Sequence, residues 1–204
     1  MGGLDSEELV RRASELARTA LGESFDHGYG HVLRVESWAR RIVEAERLDV
    51  DWLVLRLSIY LHDVGRPLGE PHALYSAIVA RGFLESAGLE GSRLERVVNA
   101  ILYHSYSYAR SAGVRPMGPE AMVLSDADKL DALGLVGFLR VMSYGWRAGR
   151  SLEESLRHFD EKILRLKDLM HFGYSRREAE RLTARVRELL DALAEELGLS
   201  RSPG

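Results

Sequence analysis

The sequence contains no cysteine. Disulfides, thiolate metal sites and cysteine nucleophiles are therefore excluded, and any metal must be held by nitrogen and oxygen. The absence also fits a cytoplasmic protein, which is the location expected here. Lysine is scarce too: among 28 basic residues only Lys129, Lys162 and Lys167 are lysines. No apolar run approaches the roughly 18 to 20 residues that a membrane span needs. No signal peptide is visible, because the start of the sequence is already charged and amphipathic. "MGGLDS" matches the loose N-myristoylation pattern, but nothing else suggests a lipidated protein. A net charge of −3 gives no global basic field, so stable nucleic-acid binding is not expected, while a local anion site stays compatible. Internal repeats, low-complexity linkers and composition breaks are absent. With 204 residues, this predicts one domain with a substantial core.

What is present is helical periodicity, nearly throughout. Asp5 and Glu8 have the spacing of a capping box, predicting a helix to about Leu21. The glycine-rich "GESFDHGYG" breaks it. A second helix is expected from about Tyr29 to Arg47, with Val32, Val35, Ala39, Ile42 and Val43 as its apolar stripe. A third covers about Asp51 to Val64, and "GRPLGEP" is a loop. A fourth starts near His72 and stops before Gly88, and a fifth covers about Ser92 to His104. "SYSYARSAGVRPMGP" reads as the longest irregular segment, suited to a lid or substrate loop. Helix resumes near Pro119 and passes Asp131, with Gly134 and Gly137 permitting close helix contact. Ser151 with Glu154, and Ser175 with Glu178, have capping-box spacing. The first is followed by Leu152, Leu156, Phe159, Ile163, Leu166 and Met170, the second by Ala179, Leu182, Val186, Leu189, Leu193 and Leu197. The closing "SRSPG" reads as frayed. The expected fold is all-α, a single compact bundle of about eight helices.

Four places interrupt this packing logic: His31 in "GYGHVLRV", His62 and Asp63 in "LHDVGRP", His104 in "NAILYHSYS", and Asp126, Asp128 and Asp131 in "SDADKLDALG". His72 opens the helix after the second. Burying a carboxylate without a partner costs several kcal/mol, and one divalent cation would offset that cost for several groups together. Imidazole plus carboxylate without thiolate suits Mn²⁺, Fe²⁺, Co²⁺, Ni²⁺ or Zn²⁺. Neighbours on a regular helix point about 100° apart, so His62 and Asp63 converge only if the helix ends there. Gly65 and Pro67 supply that end.

The ordered set His31, His62–Asp63 and an aspartate in "ADKLDAL" resembles the H…HD…D signature of HD-domain metal-dependent phosphohydrolases. "HDVGRP…H", "SDADKLDALG" and the late "HFDEKILRLKDLM" are similar to a branch of small prokaryotic HD hydrolases, some of them nucleotide pyrophosphohydrolases. The resemblance covers roughly residues 25 to 190. It implies one HD domain over 1–204, with the motif core at about 25–135 and a C-terminal helical part at about 136–198.

By this resemblance His31, His62 and Asp63 are metal ligands. Asp128 fits the family's Ala-Asp-Lys/Arg pattern as the fourth, with Asp126 as the fallback. Asp131 shares a helix face with Asp128 and would orient a ligand or meet substrate. Some HD proteins hold two ions, and His72 and His104 stand where the added histidines occur; they would otherwise contact phosphate. Asp63 would then bridge the ions, with hydroxide between them as nucleophile. The implied cofactor is one or two divalent ions, magnesium included. Arg34, Arg66 and Lys129 are the cations that could hold substrate phosphates. His27 reads as a loop residue behind the ligands, and His158 and His171 as structural. Tyr103, Tyr106 and Tyr108 would stack on a base or pack their own loop.

The implied partner is a small phosphorylated molecule, most simply a nucleotide, with pyrophosphate release from nucleoside triphosphates as the narrower form. Two other readings stay open: a two-iron oxygenase, which needs both His72 and His104, and a non-catalytic regulator that binds nucleotide or metal. A homodimer is compatible with the sequence, which leaves the oligomeric state open.

Overall fold

The computed structural model describes residues 5–198. The expectations for "MGGLDS" and "SRSPG" lie mostly or wholly outside them. Among the described residues there are ten α-helices and no strand: α1 Ser6–Leu21, α2 Tyr29–Glu46, α3 Trp52–Leu61, α4 His72–Ser86, α5 Gly91–His104, α6 Tyr106–Ala112, α7 Pro119–Asp131, α8 Gly134–Arg147, α9 Leu152–Glu161 and α10 Gly173–Glu196. Short 3-10 segments lie at Arg66–Leu68 and Ile163–Leu169. None of the described helices is long and apolar enough to cross a membrane. The chain divides into two compact units between Asp128 and Lys129.

The first unit is built around α3. Its residues Val54, Leu55, Leu57, Ser58, Ile59, Tyr60 and Leu61 are all buried, as expected of a helix that is apolar apart from Arg56 and Ser58. It packs against α1, α2, α4 and α5. Its start is fixed by Asp51, whose carboxylate accepts from the backbone N–H of Leu53 and Val54. Ser58 hides its hydroxyl by donating to the Val54 carbonyl at 2.7 Å. A helix of this kind carries whatever stands at its C-terminus into the core, and here that is His62 and Asp63.

Four sequence expectations need correction, the last of them in the second unit. The segment expected to be irregular between Ser105 and Pro119 contains α6, and Asn99 on α5 anchors the stretch between α6 and α7. Its amide donates to the Arg115 carbonyl at 2.9 Å and its oxygen accepts from Met117 N–H at 2.8 Å. Asp5 makes no side-chain cap on α1. Ser175 makes none on α10, because that helix starts two residues earlier at Gly173; Ser175 is buried inside the first turn and its hydroxyl has no hydrogen-bond partner. The Ser151–Glu154 box does form, in both directions.

The second unit contains α8, α9, α10 and the segment Ile163–Leu169. The apolar stripe beginning at Leu152 does not run on one helix. It breaks at Lys162 and continues in 3-10 form to Leu169, with Met170 extended. Phe138 stacks on Phe159 with ring centres 5.3 Å apart. Gly134 has φ +68°, and a Cβ there would lie 2.7 Å from a methyl of Leu182, so α8 approaches α10 as its glycine predicts. Asp131 and Arg140 pair in this unit at 2.8 Å, both buried.

The two serines give a paired stability test by urea denaturation. Ser151→Ala removes a working cap and lowers stability by about 1 kcal/mol. Ser175→Ala removes a buried, unsatisfied hydroxyl and raises it by about 1 kcal/mol. Destabilisation by both substitutions would contradict the observed start of α10.

Candidate metal centre

His31 enters the site from the first turn of α2. Its backbone N–H bonds the Gly28 carbonyl, and Gly28 is packed so tightly that a Cβ would lie 2.2 Å from the Ser24 carbonyl oxygen. His62 and Asp63 follow the last turn of α3, where the helix ends as expected. Gly65 is required there by crowding, not by its φ of −86°. A Cβ on it would lie 2.2 Å from the backbone nitrogen of Ser76, and its own N–H donates to the Ser76 hydroxyl at 2.9 Å. This contact seats the turn on α4, whose first residue is His72. His104 ends α5, and Asp128 sits on α7.

These elements bring the side chains together around Asp63. His31 Nε2 and His62 Nε2 lie 3.2 Å apart, and 3.8 and 3.7 Å from Asp63 Oδ2. His72 Nε2 and His104 Nε2 lie 3.6 and 3.8 Å from the other oxygen, Oδ1. Asp128 Oδ1 reaches His31 Nε2 at 3.3 Å. Two overlapping sets thus have ligand atoms mutually within 4.8 Å: His31, His62 and Asp63, and Asp63, His72 and His104. Ligands at about 2.1 Å from a shared ion lie about 3.0 to 3.4 Å apart, so these separations need adjustments of only about half an ångström.

The protons are placed to suit a cation. His62 Nδ1 donates to the Ile59 carbonyl at 2.7 Å, and His104 Nδ1 donates to the Ile101 carbonyl. Each neutral ring therefore turns the lone pair of Nε2 towards Asp63. His72 is fixed in the same sense by Glu70, 3.0 Å from its Nδ1. Burial lowers the pKa of His62 and pushes His104 down to about 3. Asp63 is held well below the usual carboxylate range: burial acts to raise it, but the Arg66 guanidinium beside it outweighs that. Asp63 Oδ1 is buried with no hydrogen-bond partner. Lone pairs facing an unsatisfied carboxylate oxygen are what a divalent ion would reconcile, so the donor set fits one.

Among the other candidates, Arg66 comes nearest: its Nε donates to Asp63 Oδ2 at 2.6 Å. Arg34 lies over the Phe25 ring, its guanidinium carbon 5.3 Å from the ring centre. Asp126 is fully buried, and its charge adds to burial in raising the Tyr103 phenol. Lys129 and Asp131 belong to the second unit and are buried. His158, on α9, and His171, just before α10, belong to that unit as well. His27 comes closer than sequence reasoning placed it, with Nδ1 3.9 Å from Asp63 Oδ2. Sequence reasoning missed Ser76 and the carbonyls of Ile59 and Ile101. Serine in "LYSAIVA" carries no visible signal, and a carbonyl carries none at all.

A family model described as "HD domain" matches residues 28–133. The chain is 29% identical over 162 residues to an uncharacterised Bacillus subtilis protein, YpgQ, covering 78% of each chain. The crystal structure of YpgQ in complex with ADP superposes with a TM-score of 0.74 at 23% identity, covering 94% of this chain and 96% of that one. A Lactobacillus plantarum protein gives a TM-score of 0.78 at 23% identity, covering 96% and 99%. An HD-superfamily hydrolase from Bacillus thuringiensis gives 0.71 at 25% identity, covering 96% and 100%.

Gly65→Ala tests the seating of the turn. The clash with the Ser76 backbone costs about 1 to 3 kcal/mol of stability, and metal retained after dialysis, measured by plasma emission, falls with it. Full metal retention at unchanged stability would rule out the proposed dependence of the cluster on this contact.

Proposed function

The chain belongs to the HD-domain family, and from that premise we propose that it is a metal-dependent phosphohydrolase acting on a small phosphorylated substrate, a nucleotide. Release of pyrophosphate from nucleoside triphosphates is the narrower form. The observation that carries this reading is the buried Asp63 carboxylate, with one oxygen towards His31 and His62 and the other towards His72 and His104. We assign His31, His62, Asp63 and Asp128 to one divalent ion, and Asp63, His72 and His104 to a second. The ADP bound by YpgQ supports a nucleotide.

When bound, such an ion supplies Lewis acidity and brings the pKa of its water towards neutrality. The chain's own groups do the rest. The Ile59 and Ile101 carbonyls hold the Nδ1 protons of His62 and His104 and so fix the tautomer, while burial keeps both rings neutral. Arg66 spends Nε on Asp63 and offers the outer edge of its guanidinium to a phosphoryl oxygen. Arg34, one helical turn beyond His31, is a second phosphate contact, and Lys129, next to Asp128, a third. Asp126, two residues before Asp128 on α7 and fully buried, is the alternative carboxylate in that stretch. His31, His62, Asp63 and His104 are at most 2% exposed, whereas Asp128 and His72 keep partial exposure, so substrate and water reach the cluster from their side.

The second triad also supports a two-iron oxygenase, which would consume oxygen when iron-loaded in air with an oxidisable substrate. A non-catalytic regulator is disfavoured, because nothing in that role requires the full ligand set.

Purified protein with Mn²⁺ and a panel of nucleoside di- and triphosphates is expected to release phosphate or pyrophosphate. Losing a group that merely supports a ligand lowers activity by up to about 100-fold; the His62→Ala/Asp63→Ala double variant should lose more. Equal turnover by both proteins would sink the proposal. Anomalous scattering from Mn²⁺-soaked crystals should give two ions sharing Asp63; a single ion bound without His72 and His104 would remove the second assignment.

A further inference from the structure

Helix α8 in the second unit is inverted relative to an ordinary surface helix. Its buried residues include Gly134, Gly137 and Gly145, whereas large apolar side chains face out. A Cβ on Gly134 would meet Leu182 of α10 at 2.7 Å, and one on Gly145 would meet the Ser155 hydroxyl of α9 at 2.5 Å, so the glycine face is the packed one. On the other side Leu135 is 54% exposed, Leu139 53% and Trp146 88%. Leu135, Leu139, Met142 and Trp146 fall within about 60° of one another at 100° per residue, forming a single stripe. Val136, 37% exposed, widens it. Between Ala132 and Trp146 the sole charged residue is Arg140, and it is buried against Asp131.

We propose that this stripe is a two-fold interface with a second copy of the chain, α8 packing antiparallel on α8. Three features point to a copy of itself. The spacing of the stripe is four, three and four residues, which reads the same in both directions. A two-fold axis between Leu139 and Met142 therefore sets Leu135 of each copy against Trp146 of the other, in register along the whole stripe. The absence of exposed charge along the stripe gives an acidic, basic or nucleic-acid partner nothing to pair with. The exposed area is also of the right order: about 500 Å² of apolar side chain per copy, which with its rim approaches the about 1,000 Å² total of a specific, modest-affinity dimer.

Light scattering coupled to gel filtration, with the full chain at tens of micromolar, tests this. The expected mass is twice the 22.9 kDa chain, and Leu139→Glu halves it with circular dichroism unchanged. Trp146→Ala, at a side chain 88% exposed and outside the core, is the second variant and weakens the dimer at least tenfold by dilution. A monomeric parent chain, or a dimer indifferent to both substitutions, overturns the proposal. So does a monomer that floats with anionic vesicles through the same stripe, which would make the face a lipid contact.

Discussion

Asp63 carries its carboxylate where only 1% of its surface meets solvent, and a buried charge of that kind costs several kcal/mol unless something compensates it. Arg66 compensates one oxygen. The other has imidazole nitrogens nearby but no hydrogen bond. The surrounding first unit reads as an arrangement for tolerating this group. The last five residues of α3, Leu57–Leu61, are all buried and carry the aspartate inwards, and α2, α4, α5 and α7 each contribute one polar side chain to the same point. Without a cation the neutral rings only surround the charge; with one they share it.

Precision in the cluster comes from the backbone. Gly65 lets the turn after α3 press on Tyr75 and Ser76, which sets His72 relative to Asp63. Gly28 lets the chain fold on Ser24 before α2, which sets His31. Both glycines stand at ordinary negative φ, so space, not torsion, demands them. A substitution at either would act on the cluster without touching a member of it.

The sequence was informative wherever a side-chain pattern and its physical cause lay close together. The α3 run ending at the His62–Asp63 doublet, the stop at Gly65, the α2 stripe and the Ser151–Glu154 box all have local causes. It was uninformative where the outcome depended on distant atoms. Ser175 has capping-box spacing, but tertiary packing starts α10 at Gly173. The stripe from Leu152 to Met170 keeps helical spacing across a break at Lys162, because 3-10 and α periods differ too little over a few residues to separate by pattern. The stretch after His104 looked irregular throughout, yet its Tyr-rich start forms α6, and the part beyond it is held at Arg115 and Met117 by Asn99, outside the stretch. Among the site residues, the histidines and aspartates were legible as a set, whereas the position of His27 beside Asp63 depends on how the glycine-rich turn folds back.

One detail of the cluster bears on how the protein can change over time. His62 and His104 each take their orientation from the carbonyl three residues earlier, at Ile59 and Ile101. The instruction to the ring is thus written in the direction of the main chain, and any residue that keeps the helix in place at 59 or 101 repeats it. Two of the proposed ligands are insulated from drift in the side chains beneath them. The core around the site can be rebuilt, apolar residue for apolar residue, while the chemistry it aims stays the same.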